Sequence, residues 1–375
     1  MSDAEPHMTR LLTLLLLAMN ATSFADNVPV WIGTKTPRNG LSQGIYHLTF
    51  NTDTGRLSQA SLAAEISNPG WVTISSDGKR LYAAASQAEP VVAAYAIDGK
   101  KLKLINSQPI GDGGACHVSE HPSGRFLMTA QYGGGSVAVF PLKQDGSIGK
   151  RSQLIEHEGG SRVVGNRQDS PHPHWTGYSP SKKFAFVPDL GLDAVVVYRV
   201  NENDGTIEST SVGTCPRGSG PRHMKFHPDG KHVFVLNELA MSITTFHFDA
   251  TAGKLTPLST VPTLSDVQKG NQPFNAAAEI RVHPNGKFVY SSNRGHDSIS
   301  AFRFVEGGLI HIEVESIRGG FPRNFNIDPS GKWLLAAGSD SNTLTVFSID
   351  QNSGALTYDR GVAFVPNPIC IAFGK

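Results

Sequence analysis

The sequence is poor in cysteine and has no excess of either charge. Its three cysteines, Cys116, Cys215 and Cys370, lack the CxxC spacing of metal and redox motifs, so a disulfide framework does not define the fold. Two of them can pair only if their Cα atoms come within about 7 Å. The 33 lysines and arginines balance 32 aspartates and glutamates. Because binding to nucleic acid or an anionic membrane requires many phosphates to be neutralised, neither partner is expected.

Long apolar runs are also missing, except near the N-terminus. Arg10 precedes the apolar stretch 11–19, and Ser23 and Ala25 provide the small residues that a signal peptidase requires. The stretch is shorter than the ~20 residues that span a membrane. Residues 1–25 are therefore predicted to be a signal peptide, the alternative being a buried strand or helix. We expect an exported protein, periplasmic or extracellular, whose mature part, residues 26–375, does not associate with the membrane.

Several catalytic and cofactor-binding motifs are absent as well. The chain has no GxSxG nucleophile elbow, no phosphate-binding P-loop and no GxGxxG after a strand, which gives no support to a serine hydrolase or a nucleotide enzyme. His172 and His174 have the spacing of two metal ligands on one strand face, but no further ligand cluster has suitable spacing. The sequence therefore predicts neither a metal site nor a cofactor.

What the chain does contain is a repeated turn of the form x-Pro-x-Gly-Lys, followed by an apolar strand. Its glycine position recurs every 45 to 58 residues, at Gly78, Gly124, Lys182, Gly230, Gly286 and Gly331. Each copy continues with a second alternating strand, a glycine-containing hairpin and a less regular strand. A repeat of this length and content is typical of the four-stranded blades of a β-propeller.

The two chain ends complement each other and predict a seventh blade. Before Gly78, the segments VPVWIGT, GIYHLTF and TDTGRLS match the second, third and fourth strands of a blade without its first. The segment 367–373 matches the first-strand pattern of 220–226. The predicted fold is therefore an all-β, seven-bladed β-propeller in which a C-terminal strand completes the N-terminal blade and removes an open sheet edge. A β-sandwich, the alternative, does not explain this complementarity.

Alignment of the repeats places two sets of residues at one rim of the central channel. The first two strands of a blade run in opposite directions, so the start of the first strand lies beside the end of the second. At the start of the first strand lie Gly70, Cys116, His174, Arg222, Arg323 and Ile369, with the fifth repeat offset around Ala278 and Glu279. After the second strand lie Tyr132, Asp189 or Leu190, Glu238, Arg294 and Ser339. Functional groups from separate repeats can therefore meet at this rim.

Ionisable residues concentrate in the third, fourth and fifth repeats. His174, Arg222, Glu238 and Arg294 occupy positions where small apolar residues are expected, and buried ionisable groups are costly unless they are paired or used in function. These four are predicted to be catalytic. The predicted substrate-binding residues are Tyr132, Asp189, Arg323 and Glu279. The alternative for Arg222 and Glu238 is a purely structural salt bridge.

Nine segments resemble the lactonase family of seven-bladed propellers, which includes bacterial propeller-type 6-phosphogluconolactonases and fungal carboxy-muconate lactonizing enzymes. The resemblance spans the mature chain, and the family's proposed active-site residues fall on His174, Arg222, Glu238 and Arg294. Ala115 departs from the proline that is frequent there. The segments are Gly114–His117 with His121–Gly124, Gln131–Ser136, Pro171–His174, Val187–Gly191, Gly220–His223, Asn237–Leu239, Ala278–Ile280, Ser292–Gly295 and Pro322–Phe325.

The resemblance implies a 6-phosphogluconolactonase-like hydrolase that acts on a small carboxylated or phosphorylated sugar-type lactone. In such an enzyme Arg222 and Arg294 hold the substrate anion, and Glu238 or His174 activates water. Two alternatives stay open: a carboxy-muconate-type cycloisomerase and a non-catalytic propeller that binds protein partners. Export disagrees with the cytosolic location of 6-phosphogluconolactone, so the sequence does not identify the lactone. It does not give the oligomeric state either.

Overall fold

The computed structural model describes residues 27–270 and 272–375, and the predicted signal peptide lies outside them. The strands of this part form seven four-stranded antiparallel sheets, accompanied by a single short helix, α1 (Asp266–Gly270). The predicted all-β, seven-bladed β-propeller is therefore confirmed. Within the same two ranges, no helix has the length and apolar character needed to cross a membrane. Blades 1 to 6 are numbered after the six repeats, and the seventh sheet is named the closing blade.

In blades 1 to 6 the strands follow one another in chain order from the centre of the blade to its outside. The closing blade begins with β1 (Asn27–Thr34), β2 (Gly44–Asn51) and β3 (Ser61–Glu65). Blade 1 has β4 (Pro69–Ile74), β5 (Arg80–Ala85), β6 (Val91–Asp98) and β7 (Lys101–Pro109). Blade 2 has β8 (Ala115–Glu120), β9 (Phe126–Gln131), β10 (Ser136–Pro141) and β11 (Gln153–Glu156). Blade 3 has β12 (Gly177–Tyr178), β13 (Phe184–Asp189), β14 (Ala194–Val200) and β15 (Ile207–Thr214).

The second half of the ring repeats this arrangement. Blade 4 has β16 (Pro221–Phe226), β17 (His232–Asn237), β18 (Ser242–Asp249) and β19 (Lys254–Pro262). Blade 5 has β20 (Ala276–Val282), β21 (Phe288–Arg294), β22 (Ser298–Val305) and β23 (Gly308–Ser316). Blade 6 has β24 (Pro322–Ile327), β25 (Trp333–Gly338), β26 (Thr343–Ile349) and β27 (Leu356–Phe364), and the chain ends with β28 (Pro368–Phe373).

The repeated turn owes its sequence to a left-handed backbone position between the first and second strands. Five of the six copies have glycine there with φ between 69° and 75°, at Gly78, Gly124, Gly230, Gly286 and Gly331. Glycine adopts this conformation without the Cβ clash of other residues. Lys182 takes it in blade 3, at φ 65°, and an L residue in this region costs about 1 kcal/mol.

Histidines at the start of three turns connect neighbouring blades. The Nε2 atoms of His121, His227 and His283 bond to a carbonyl oxygen at the glycine position of the next turn, at 3.1, 2.9 and 2.7 Å respectively. The recurrence of one bond in three blades supports a structural role for these residues. The cysteines contribute no covalent link, since all three are free thiols.

The ring is closed by pairing between the two ends of the chain, as the sequence predicts. Strand β28 pairs with β1 and gives the closing blade the order β28-β1-β2-β3. Ile32 is directly opposite Ile371, and both are packed in an apolar cluster that includes Leu335 of blade 6. The closing strand thus supplies hydrogen bonds to one blade and apolar contact to its neighbour.

Replacing Ile371 by Ala tests this closure. Its side chain is 1% exposed, so truncation leaves a cavity and should lower the free energy of unfolding by about 2–5 kcal/mol. The matched control is Phe364→Ala in β27, where the ring is 59% exposed and the expected change is within about 0.5 kcal/mol. Urea unfolding measures both. Equal midpoints for Ile371→Ala and wild type would show that β28 does not hold the ring closed.

Candidate active site

The first strands share a β-bulge near their start. The pairing with the second strand skips one residue in blades 1, 2, 4 and 6 and in the closing blade: Gly70, Cys116, Arg222, Arg323 and Ile369. A bulged residue leaves the ladder and its side chain is re-aimed. All five line one cavity of about 580 Å³ at the mouth of the channel. In blade 3, His174 follows the isolated bridge at Pro173 and lines the same cavity.

Six of the eight predicted site residues lie in this cavity. The first-strand positions contribute His174, Arg222 and Arg323, and the ends of the second strands contribute Glu238 and Arg294, with Tyr132 one residue beyond β9. The rim that the repeat alignment predicts is therefore the place where these side chains meet. Asp189 and Glu279 do not line the cavity.

Asp189 is fully buried beside the cavity and organises the chain around it. Its Oδ2 lies 2.6 Å from Nδ1 of His157, while Oδ1 accepts backbone N–H bonds from His172 at 2.7 Å and Gly191 at 2.9 Å. With both oxygens engaged, the carboxylate is not presented to a substrate. The structure thus places Asp189 within the blade and not in the cavity wall, because β13 directs the side chain inward, and this geometry gives its predicted substrate contact no support.

Glu279 is displaced by an irregularity of blade 5. The pairing of β20 with β21 skips two residues between Ala277 and Ile280, where the other blades skip one. The Glu279 carboxylate therefore lies below the cavity, 2.5 Å from Nδ2 of Asn324 and 3.1 Å from Nδ1 of His223. This geometry gives its predicted substrate contact no support either, and its position is that of a support for His223, which does line the cavity.

Glu238 is the centre of a buried ion cluster. Its oxygens lie 2.7 Å from Nη2 of Arg167, 2.9 Å from Nε of Arg222 and 3.2 Å from Nη2 of Arg294. Burial raises the pKa of the carboxyl group, but Arg294 and Arg222 outweigh burial and hold that pKa well below its usual range. The salt bridge between Arg222 and Glu238, which was the structural alternative, is therefore present as one of three ion pairs with an ionised carboxylate.

Backbone carbonyls fix two of these guanidinium groups. Arg222 donates from Nη1 to the carbonyl of Ala278, and Arg294 donates from Nη2 to the carbonyl of Ala277 at 2.9 Å. Ala277 is the last paired residue before the skip in blade 5 and Ala278 is the first skipped one, so the irregularity that removes Glu279 from the cavity also orients the arginines. Such double anchoring restricts the guanidinium planes and prepares them for directional hydrogen bonds.

Arg323 differs from the other arginines of the cavity. Across residues 27–270 and 272–375 its guanidinium has neither a hydrogen-bond acceptor nor an ion-pair partner. Burial and the nearby Arg294 lower the pKa of Arg323. The cavity lining holds five cationic side chains, Lys35, Arg167, Arg222, Arg294 and Arg323, against the single carboxylate of Glu238. The excess of four positive charges makes this cavity a site for an anion.

His174 combines burial with an unused ring nitrogen. Its side chain packs at 5.2 Å from His223 and 5.4 Å from Tyr132, measured between ring centroids, and its Nδ1 has no hydrogen-bond partner. Burial and the charge of Arg222 place the pKa of His174 well below 6.5. The imidazole is therefore neutral at neutral pH, and one of its two ring nitrogens carries a lone pair.

The family profile "Lactonase, 7-bladed beta-propeller" matches residues 29–373. The chain belongs to this family. It is 34% identical to a 6-phosphogluconolactonase of Bacillus subtilis over 348 residues, which cover 92% of this chain and 97% of that protein. A 6-phosphogluconolactonase of Formosa agariphila is 34% identical over 326 residues, covering 84% and 90%. The crystallised periplasmic gluconolactonase of Pseudomonas aeruginosa has a TM-score of 0.86 at 28% identity and covers 93% and 99%.

Two further cations of this lactonase line the cavity although they were not among the predicted site residues. Arg167 lies outside the repeats, whereas Lys35 follows the second strand of the closing blade, at the repeat position of Tyr132 and Glu238. Arg167 is in the segment between β11 and β12, and it also donates to the hydroxyl of Tyr132 at 3.1 Å. Lys35 directly follows β1 at the mouth of the cavity. The one available signal for Arg167 is the length of its segment, 157–176, since long loops in compact domains are frequently functional.

A matched pair of variants compares Arg222, which pairs with Glu238, with Arg323, which has no partner among the described residues. Arg222→Met removes a contact of a buried carboxylate and should lower the free energy of unfolding by about 3 kcal/mol. Arg323→Met removes a cation without a protein partner, so the stability should stay within about 0.5 kcal/mol or increase. Urea unfolding at neutral pH measures both values. A comparable loss in Arg323→Met would mean that its charge is compensated in the folded protein.

Proposed function

We propose that this lactonase hydrolyses a small sugar-type lactone that carries a carboxylate or phosphate group. The observation that carries the proposal is the meeting of a neutral, unpartnered imidazole with a strongly cationic cavity wall. The names of its relatives, 6-phosphogluconolactonase and gluconolactonase, support hydrolysis over cycloisomerisation. An interaction module has no need of buried charges that converge on a cavity of this volume.

Arg323 is the residue best placed to bind the anionic group of the substrate. Its N–H donors have no protein acceptor to give up, so an incoming carboxylate or phosphate gains charge-assisted hydrogen bonds without breaking others. Lys35 adds a second positive charge at the mouth. The resemblance assigns this role to Arg222 and Arg294, whose guanidinium groups are partly committed to Glu238. We therefore assign those two arginines to orienting the reacting end of the lactone.

His174 is the better candidate for the general base. Glu238 accepts bonds from three guanidinium groups and its lowered pKa makes it a weak proton acceptor, whereas no described residue bonds to either ring nitrogen of the neutral His174, which lines the cavity. In the proposed reaction His174 takes a proton from water as the water oxygen attacks the lactone carbonyl carbon. Arg222 stabilises the resulting oxyanion. The bond from that carbon to the ring oxygen then breaks, and the imidazolium returns the proton to the ring oxygen, which gives the hydroxy acid.

Replacing His174 by Gln tests the base assignment. Loss of a general base should lower kcat by about 10²–10⁴-fold. The rate is measured with aldonolactones as substrates by pH-stat titration of the released acid, after subtraction of the uncatalysed rate. The matched control, the exposed His247→Gln, should retain wild-type kcat. Because the pKa of His174 is below 6.5, its base form persists down to that pH, and wild-type kcat should not fall between ~pH 8 and 6.5. Full activity of His174→Gln would transfer the role to another group.

Arg323→Met tests the binding assignment on the same substrates. The variant loses the cation that meets the substrate anion, so KM for a carboxylated or phosphorylated lactone should rise roughly 10–100-fold, the equivalent of about 1.4–2.7 kcal/mol. KM for an uncharged aldonolactone should change little, which makes the neutral substrate the internal control. An equal rise for both substrates would indicate a distorted cavity and remove Arg323 from the proposed anion site.

We also propose that the protein is exported. The support is the composition of residues 1–25, which lie outside the described residues, together with the periplasmic location in the name of the Pseudomonas aeruginosa relative. Cleavage after Ala25 leaves Asp26 as the first residue. Mass spectrometry of the protein from periplasmic and cytosolic fractions of a Gram-negative host should find that mature N-terminus in the periplasm. An uncleaved chain confined to the cytosol would overturn the proposal.

A further inference from the structure

A second cavity of about 580 Å³ occupies the opposite end of the channel. Each of the seven first strands contributes one residue to a ring at its wall, and we name these residues the far ring. They are Thr73, Ser119, Gly177, Lys225, Arg281, Asn326 and Ala372. Side chains two positions apart on a strand face the same side. The far ring therefore lies one layer below the residues that form the floor of the active-site cavity.

A layer of aromatic rings separates the two cavities. The ring centroid of Trp71 is 4.2 Å from that of His117 and 5.4 Å from that of His223, and His117 is 5.5 Å from Trp175. Trp71 lines both cavities, one on each side of the layer. A group bound at the far ring is therefore distinct from the substrate of the lactonase site.

Lys225 is the unusual member of the far ring. Its ammonium group lies 4.7 Å from the centre of the Trp175 ring and has no hydrogen-bond acceptor or carboxylate partner among residues 27–270 and 272–375. A cation–π contact on one side leaves the remaining N–H donors of an ammonium unsatisfied. A charge that is removed from water is usually paired with an opposite charge and hydrogen-bonded. The part-buried ammonium of Lys225 has neither kind of partner among the described residues.

Arg281 adds a second cation whose pairing is incomplete. Its Nη2 is 3.4 Å from Oε2 of Glu279, and its Nε donates to the carbonyl of Phe325 at 3.3 Å. Glu279 carries a single negative charge and also contacts Asn324 and His223. It therefore balances at most one of the two cations, Lys225 and Arg281. Among the described residues, Glu120 is the one side-chain carboxylate of the cavity wall, and it accepts the backbone N–H of Ser76 at 2.5 Å. The wall therefore has three cationic side chains, Lys225, Arg281 and Lys375, against one carboxylate side chain.

The surroundings of Lys225 in this cavity favour its neutral amine form. Burial first, and then Arg281, lower its pKa to about 7, against a smaller opposing effect of Glu279. The other titratable groups around it are Cys370, whose thiol pKa is raised to about 12, and the imidazoles of His117 and His223, whose pKa values are well below 6.5. None of these neutral groups compensates the ammonium. A bound anion would stabilise the charged form and raise the pKa of Lys225.

We propose that the far cavity binds a small oxyanion, a carboxylate or a phosphate, between the ammonium of Lys225 and the guanidinium of Arg281. The bound oxygens accept the N–H donors that the protein leaves open, and their charge balances the two cations. This inference goes beyond the proposed lactonase function and does not depend on it. Binding weakens as the pH rises through the pKa of Lys225, because the neutral amine no longer attracts the anion.

Residue-specific labelling tests the proposal at the site itself. Trace acetic anhydride acetylates each lysine in proportion to its free-amine fraction, and peptide mass spectrometry over a pH series gives the pKa of Lys225. Saturating inorganic phosphate, or formate as the carboxylate probe, should raise that pKa by about one unit and lower labelling at neutral pH about fivefold. Lys231, an exposed neighbour in blade 4, is the internal control and should not respond.

Two variants define what the response means. Arg281→Gln keeps Lys225 available for labelling and should abolish most of the anion effect, while Arg323→Met, at the other end of the channel, should leave it unchanged. A response to phosphate alone or to formate alone identifies which oxyanion class binds. A pKa of Lys225 that neither anion changes, or an effect lost in Arg323→Met and kept in Arg281→Gln, would overturn the proposal.

Discussion

The structure depends on a local break in strand pairing that is repeated around the ring. One skipped residue at the start of the first strand turns a side chain out of the sheet and toward the channel mouth, and five sheets do this at equivalent positions. Regular pairing would have put these side chains within the blades. The bulge therefore converts a structural repeat into a circle of candidate functional groups, whose chemistry differs from blade to blade while the backbone stays nearly constant.

The charges in this circle are arranged around Glu238. A buried carboxylate that meets three guanidinium groups is costly to desolvate, and the contacts from separate elements recover that cost only when the ring is assembled. The cluster also divides the cations into two kinds. Arg167, Arg222 and Arg294 pair with Glu238, whereas Arg323 has no partner among the described residues. In the proposed function, Arg222 and Arg294 therefore orient the reacting end of the lactone, and Arg323 binds its anionic group.

The sequence predicts the fold because a repeat and its closure are visible without any long-range contact information. Six of the eight predicted site positions line the cavity for a related reason, since aligning the repeats aligns their bulges. The other two lie outside it because of local departures that no repeat encodes: β13 turns Asp189 inward, and the double skip in blade 5 lowers Glu279. Arg167 lies on a connecting segment, whose course depends on tertiary packing, so periodicity could not predict it. Lys35 follows the second strand of the closing blade and stands at the repeat position of Tyr132 and Glu238, so the alignment could have included it.

The packed rings of Trp71, His117 and Trp175 give the lactonase site a floor. A molecule that enters at the mouth must leave by the same opening. Opening a lactone creates one additional carboxylate, so the departing hydroxy acid carries more negative charge than the compound that entered. The arginines and Lys35 attract it more strongly as it leaves. In a pocket with a single exit, escape of the product is therefore the step most opposed by the electrostatic field that draws the substrate in.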